Sequence, residues 1–164
     1  MDTAVAELHT YPIQPVASPT TLAVLCVDPR FDGPTRQFLH EELKIPDGGF
    51  VPMQIGGGAA SFSLLELPKE LKYVREAVRL YLGLFRSITR VIVISHEDCG
   101  KYRALQQALP HLLSLVPTMT DRQRADLQKA SDAILALAPR QLTIERYYAR
   151  FANPEHTQVR FEKL

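Results

Sequence analysis

Residues 90–100 read RVIVISHEDCG, an apolar run that leads directly into a histidine and a cysteine. The apolar part is rich in β-branched side chains, which is typical of a strand that is covered on both faces. His96 and Cys99 follow at the point where this strand would end. Residues 20–27, TTLAVLCV, have the same character and carry Cys26 near their end. The two stretches predict a pair of buried strands, each followed by side chains that can bind a metal.

Strand-like and helix-like segments alternate along the rest of the chain. Apolar residues at spacings of three and four predict helices, whereas short β-branched runs predict strands. Pro52 lies within one strand candidate and cannot donate a ladder hydrogen bond, so that strand is expected at a sheet edge. The predicted strands are residues 20–27, 50–55, 90–95, 141–151 and 158–164, and the predicted helices are residues 34–44, 68–86, 101–109 and 120–137.

This alternation predicts an α/β fold with a mainly parallel sheet of about five strands and helices on both faces. The last two strands are separated only by a short turn at Asn153-Pro154, so they are expected to pair in antiparallel fashion. Pro34 is placed in the first turn of the first helix. Thr120 and Gln123 have the spacing of a capping box, which places the start of the last helix at Thr120.

The chain length and the absence of a linker or an internal repeat predict one domain. Its 164 residues are enough to bury a sizeable core. Residues 1–19 contain three prolines and are interpreted as an N-terminal arm, and residues 20–164 as a single α/β domain that carries the candidate metal-binding side chains. The glycines at residues 56–58 lack the spacing of a nucleotide-binding phosphate loop and predict a tight turn instead.

Charge and hydropathy argue against nucleic-acid and membrane partners. Lys and Arg number 19 against 18 Asp and Glu, with no clustered basic surface of the kind that nucleic acid requires. No stretch approaches the ~18 apolar residues of a membrane span, and residues 1–20 are not expected to act as a secretory signal. The cytoplasm is therefore the expected compartment, where the two cysteines would remain thiols and serve either as packing residues or as ligands.

Cys26, His96 and Cys99 form a candidate zinc site. If the first and third strands are parallel neighbours, their carboxyl ends meet at one edge of the sheet, where α/β folds bind ligands. Two thiolates and one imidazole suit zinc, and three protein ligands leave a fourth position open, as in catalytic sites. Each residue alone has a simpler interpretation, because a cysteine in a buried strand usually serves packing and a histidine after a strand is usually a hydrogen-bonded structural residue.

The motifs CVDPR at residues 26–30 and HEDCG at residues 96–100, each after a strand, resemble those of the β-class carbonic anhydrases, particularly the short microbial forms. The resemblance implies that Cys26, His96 and Cys99 bind one zinc ion per chain. It also implies a sheet order of 2-1-3-4 with an antiparallel fifth strand, and a homodimer or a higher homo-oligomer. The implied activity is that of a zinc lyase, the reversible hydration of carbon dioxide to bicarbonate.

By the same resemblance, Asp28 and Arg30 would be the catalytic pair that orients the reacting water, although an ion pair that merely braces the loop is the alternative. In some family members the aspartate binds zinc instead and closes the site. If Asp28 did so here, the chain would be a non-catalytic zinc module. Many members have Arg-Asn-Ala-Gly after the second strand, where residues 54–57 here read QIGG. That difference leaves room for a hydrolase of carbonyl sulfide or carbon disulfide at the same zinc site.

Overall fold

The architecture is that of a single sheet with helices packed against it. The structure is a computed structural model that describes residues 18–65, 67–108 and 118–164. None of the described helices is both long enough and apolar enough to cross a membrane. In chain order the elements are β1 (Thr21–Cys26), α1 (Pro29–Glu41), β2 (Phe50–Ile55), α2 (Ala60–Ser63), α3 (Pro68–Leu84), β3 (Arg90–His96), α4 (Gly100–Ala108), α5 (Met119–Leu137), β4 (Thr143–Phe151) and β5 (Val159–Lys163).

The strand order is β2-β1-β3-β4-β5, as the sequence motifs implied. The first four strands are parallel, and β5 pairs with β4 in antiparallel fashion. Pro52 lies on β2 opposite Ala23, at the sheet edge where its missing N–H was predicted to place it. Thr21 of β1 lies opposite Arg90 of β3, so these two strands are parallel neighbours and their carboxyl ends lie at the same edge of the sheet.

Helices cover both faces of the sheet, which confirms the predicted fold class. Side chains alternate along a strand, so Leu22 and Val24 of β1 face one side and Ala23 and Leu25 face the other. The first side packs against α3 and α5, and the second packs against α1. The central strands are buried almost throughout, as the apolar runs in the sequence predicted.

The start of α1 differs from the prediction. The helix begins at Pro29, and Pro34 lies inside it rather than in its first turn. Asp28 is the N-cap, because its carboxylate accepts a hydrogen bond of 3.0 Å from the backbone N–H of Arg30. Proline at the first helical position costs little, since its missing N–H would have no partner there. The capping aspartate therefore decides where the helix begins.

The start of α5 also differs, because Thr118 and not Thr120 is its N-cap. The Thr118 hydroxyl oxygen accepts from the backbone N–H of Asp121 at 3.1 Å. Gln123 takes no part in a capping box and is almost completely buried. The short helix α2 was not predicted. The other boundaries agree within three residues, except that the arm up to residue 17 and the last residue of the predicted helix 101–109 lie outside the described residues.

Glu145 ties three strands of the sheet together. Its carboxylate accepts hydrogen bonds from Arg90 on β3, Lys163 on β5 and the Tyr147 hydroxyl on its own strand, with distances of 2.5 to 2.7 Å. Burial raises the pKa of Glu145, but the three hydrogen bonds outweigh this effect and lower it from 4.5 to about 2. The ionised form of this carboxylate is therefore favoured by the folded state.

We expect Glu145→Gln to lower the free energy of unfolding at neutral pH by roughly 2 kcal/mol, less than the full pKa shift implies because the pairs are partly solvated. The folded-state pKa lies below the unfolded value, so this contribution is complete above pH 4.5 and is lost as the pH falls towards about 2. Urea unfolding of both proteins at about pH 7 and about pH 3 measures it. The difference in unfolding free energy should shrink at the lower pH. The control Glu155→Gln should show no difference at either pH. A difference that does not change with pH would contradict the lowered pKa of Glu145.

Candidate metal centre

The side chains of Cys26, His96 and Cys99 meet at the carboxyl ends of β1 and β3. Their ligand atoms all lie within 4.8 Å of one another, and the two sulfur atoms are 3.9 Å apart. His96 and Cys99 are buried and Cys26 is partly exposed. The parallel pairing of β1 with β3 thus brings together residues that are seventy positions apart in the sequence.

The imidazole of His96 has one nitrogen that is bonded and one that is not. Nδ1 lies 2.8 Å from the backbone carbonyl oxygen of Glu97. A carbonyl oxygen only accepts, so Nδ1 carries a proton, and in the neutral ring Nε2 presents its lone pair. Nε2 is buried and has no hydrogen-bond partner among the described residues. The ring is held from one side by Phe31, whose centroid is 4.1 Å away. An oriented imidazole with a free Nε2 is what a metal ligand requires.

The hydrogen bond between the two thiols changes the acidity of both. The bond from Cys99 lowers the pKa of Cys26 in spite of its burial. The hydrogen bond to Cys26 and burial both raise the pKa of Cys99. The pair therefore behaves as one thiolate that shares the proton of its neighbour. The backbone N–H of Gly57, 3.4 Å from the sulfur of Cys26, adds a further donor to that thiolate.

These residues fit a zinc ion. Zinc takes thiolate sulfur and imidazole nitrogen, and a metal cation can replace the proton that the two sulfur atoms share. The unpartnered Nε2 of His96 supplies the third donor. The same side chains that are costly to bury without partners become satisfied when they bind a metal.

Asp28 and Arg30 lie beside this cluster and are paired in a fork geometry. Nε and Nη2 of Arg30 donate to the two carboxylate oxygens of Asp28 at 3.0 and 2.7 Å, and these bonds lower the pKa of that carboxyl. Nη1 of Arg30 donates to the carboxylate of Asp98 at 2.8 Å, and Nη2 also donates to the Asp98 backbone carbonyl at 3.0 Å. Arg103 donates to the other oxygen of Asp98 at 2.7 Å. Arg30 therefore joins the loop after β1 to the loop after β3.

Asp98 is a site residue that sequence reasoning did not single out. It lies between His96 and Cys99 and has a backbone φ of +53°, a left-handed conformation that aspartate adopts more readily than most residues. The available signal was the second carboxylate within the HEDCG motif. Its pairing with Arg30 could not be predicted, because it depends on how the two loops meet.

A small cavity adjoins the cluster. Cys26, His96, Phe31 and Gln54 are among the residues that line it, and its volume is about 10 Å³, close to the room that one water molecule occupies. The amide of Gln54 donates to Asp32 at 2.8 Å across the wall of this cavity. Gln54 comes from the QIGG segment, so this segment contributes a residue to the wall of the cavity.

Comparison with solved structures supports the fold. The structure is similar to a β-carbonic anhydrase from Trichomonas vaginalis, with a TM-score of 0.57, 11% sequence identity, and coverage of 94% of this chain and 87% of the other. It is also similar to a carbonic anhydrase from Streptococcus mutans, with a TM-score of 0.52, 15% identity and the same two coverages. A scan against protein-family models and a search among curated proteins each found no match to the sequence. The chain has the fold of these two enzymes, as the motif resemblance implied.

We expect the chain to bind one zinc ion, and both Cys99→Ser and His96→Ala to weaken that binding by more than the ~10- to 100-fold typical of changes outside the ligand shell. Each variant removes one of the three donor atoms that the fold brings together. Competition with a chromophoric chelator measures the affinity. His40→Ala, a histidine change on the surface of α1, is the matched control and should bind zinc like the unmodified chain. Equal affinity in all four proteins would place the metal elsewhere.

Proposed function

We propose that this chain is a zinc-dependent carbonic anhydrase that catalyses the reversible hydration of carbon dioxide to bicarbonate. The proposal rests on one observation: Cys26, His96 and Cys99 meet at one edge of the sheet. The carboxylate of Asp28 lies beside them and is held by Arg30. A fold similar to that of two carbonic anhydrases supports the same conclusion.

The three ligands would be the sulfur atoms of Cys26 and Cys99 and Nε2 of His96. Catalytic zinc sites typically have three protein ligands, whereas structural sites have four. A zinc ion bound by these residues supplies Lewis-acid activation of water. The buried position of His96 and Cys99 keeps the surroundings apolar, which strengthens electrostatic interactions at the reacting atoms.

Asp28 would orient the reacting water. Its carboxylate is kept ionised by Arg30 and can therefore only accept hydrogen bonds. Arg30 occupies both lone pairs of Oδ1, through its backbone N–H and Nε, and one lone pair of Oδ2. The remaining lone pair of Oδ2 can accept the O–H of a water molecule beside the cluster. Asp98 restrains Arg30 from the opposite side. In this arrangement Asp28 is the catalytic residue, and Arg30 fixes its position and charge.

The geometry favours a catalytic site over a non-catalytic zinc module. Closing the site would require Asp28 to turn towards the three ligands, and this movement would break its two-point pairing with Arg30. Among the described residues, Asp28 does not belong to the group of side chains that could share a metal. The small cavity has room for about one water molecule, which suits the reacting water beside the cluster.

Stopped-flow hydration of carbon dioxide by zinc-loaded protein tests the proposal, with a pH indicator as the readout. We expect fast hydration that rises with pH and is absent from Cys99→Ser, because that variant lacks one of the metal donors. A trace equal to that of Cys99→Ser, from protein with one zinc per chain, would contradict the proposal. Turnover of carbonyl sulfide or carbon disulfide by the same protein would then identify it as a hydrolase.

The Asp28→Asn variant tests the role of the carboxylate. Asparagine caps a helix as well as aspartate does, so the start of α1 should remain intact. We expect carbon dioxide hydration to fall by about 100-fold or more, because the amide cannot replace an ionised acceptor, while zinc content is unchanged. Asp132→Asn, on the exposed face of α5, is the control for the same chemical change. An active, zinc-replete Asp28→Asn protein would refute this role.

Assembly into a homodimer or a higher homo-oligomer, the domain bounds of residues 20–164 and a cytoplasmic location remain predictions from the sequence. So does the absence of nucleic-acid and membrane partners. They accompany the proposed function and do not support it.

A further inference from the structure

Gln123 of α5 connects two strands through the buried core. Its side-chain Nε2 donates a hydrogen bond of 2.8 Å to the backbone carbonyl oxygen of His96, and its Oε1 accepts from the Tyr148 hydroxyl on β4. Gln123 is 1% exposed and Tyr148 is 0% exposed. Rotating the amide by half a turn would point its oxygen at the carbonyl oxygen of His96, so the two bonds fix its orientation. Gln123 therefore holds the backbone of a metal-ligand candidate.

Asp126, one turn further along α5, makes the corresponding connection to Cys99. Its carboxylate is 0% exposed and accepts from the Tyr102 hydroxyl at 3.0 Å and from Arg122 at 3.0 Å. Burial and the charge of Asp126 raise the pKa of Tyr102, so its hydroxyl stays protonated and donates. Tyr102 lies in the first turn of α4, and its backbone N–H is one of two that face the Cys99 sulfur. Asp126 thereby anchors the turn that surrounds this thiol.

The third candidate ligand is held by other parts of the fold. The sulfur of Cys26 accepts hydrogen bonds from two backbone N–H groups. One belongs to Gly57, in the turn after β2, and the other to Asp28. Of the three candidate ligands, the hydrogen bonds described for Gln123 and Asp126 lead only to His96 and, through Tyr102, to Cys99. Helix α5 therefore sets two of the three ligands relative to each other.

We propose that α5 is a positioning element for the metal site, and that Gln123 and Asp126 determine its metal affinity and coordination geometry. The inference rests on the zinc site of the proposed function. Apolar residues at these two positions would pack α5 against the sheet without the desolvation cost of a buried amide and a buried carboxylate. The polar residues instead fix the position of the backbone next to the candidate ligands, because hydrogen bonds are directional and apolar contacts allow backbone atoms to shift. Such outer-shell bonds typically change metal affinity by ~10- to 100-fold.

Two variants on this network and one control separate positioning from general stability. Gln123→Met keeps the length of the side chain and removes both hydrogen bonds, and Tyr102→Phe removes only the hydroxyl that meets Asp126. Leu127→Ala is the control, because it lies in the buried core on the same helix and its side chain has no polar atom. For each protein we would measure urea unfolding without metal, zinc affinity by chelator competition, and the visible and thiolate charge-transfer spectrum with cobalt(II).

We expect Gln123→Met and Tyr102→Phe to weaken zinc binding by ~10- to 100-fold and to alter the cobalt spectrum. Leu127→Ala should lose stability and keep both the affinity and the spectrum of the unmodified chain. The inference is overturned if the two network variants bind zinc like the unmodified chain, or if Leu127→Ala loses as much affinity as they do. If Gln123→Met does not fold, Tyr102→Phe decides. Failure of the unmodified chain to bind zinc would overturn the proposed function as well.

Discussion

The parallel pairing of β1 with β3 is the interaction on which the candidate site depends. It sets the ends of the two strands side by side, so that Cys26 on one strand meets His96 and Cys99 on and after the other. Each strand is buried on both faces, and a shift of register by one residue would turn every side chain to the opposite face. Packing of the core thus fixes the register, and the register fixes the distance between the ligands.

Charge pairing connects the two loops that follow these strands. Arg30, in the first turn of α1, donates to Asp28 after β1 and to Asp98 after β3, so one guanidinium bridges the two segments. Exposed ion pairs contribute little to stability, and Arg30 is 40% exposed. The value of this pairing lies in orientation, because a planar guanidinium with two carboxylates has few alternative arrangements.

Polar groups in the core behind the site also contribute orientation more than stability. Gln123 and Asp126 are buried at positions of α5 where apolar residues would be expected, and each is satisfied by a partner that leads to a candidate ligand. Buried polar residues with complete hydrogen bonds specify one arrangement of a core more strictly than apolar packing does. The site therefore has support on three sides, from the sheet register, from the charged loop contacts and from α5.

The sequence alone determined the strands, the order of elements and the identity of the candidate ligands. These features are encoded in local patterns, such as the apolar run before His96 and the short turn before β5. The missed helix start at Pro29 also had a local signal, since an aspartate followed by proline is a typical helix start. The Thr118 and Thr120 caps could not be separated in this way, because both threonines have a suitable residue three positions later. Only the burial of Gln123 against His96 decides between them.

Tertiary structure alone decided which polar side chains meet. Arg30 pairs with Asp98, and α5 bonds to His96 and to Tyr102. These contacts all join residues that are distant in the sequence. Local patterns report the periodicity of a segment and the preferences of its residues, but contacts between segments follow from how the helices settle on the sheet. The sequence therefore determines which chemical groups are available for the site. Their distances and orientations are set only when the core packs.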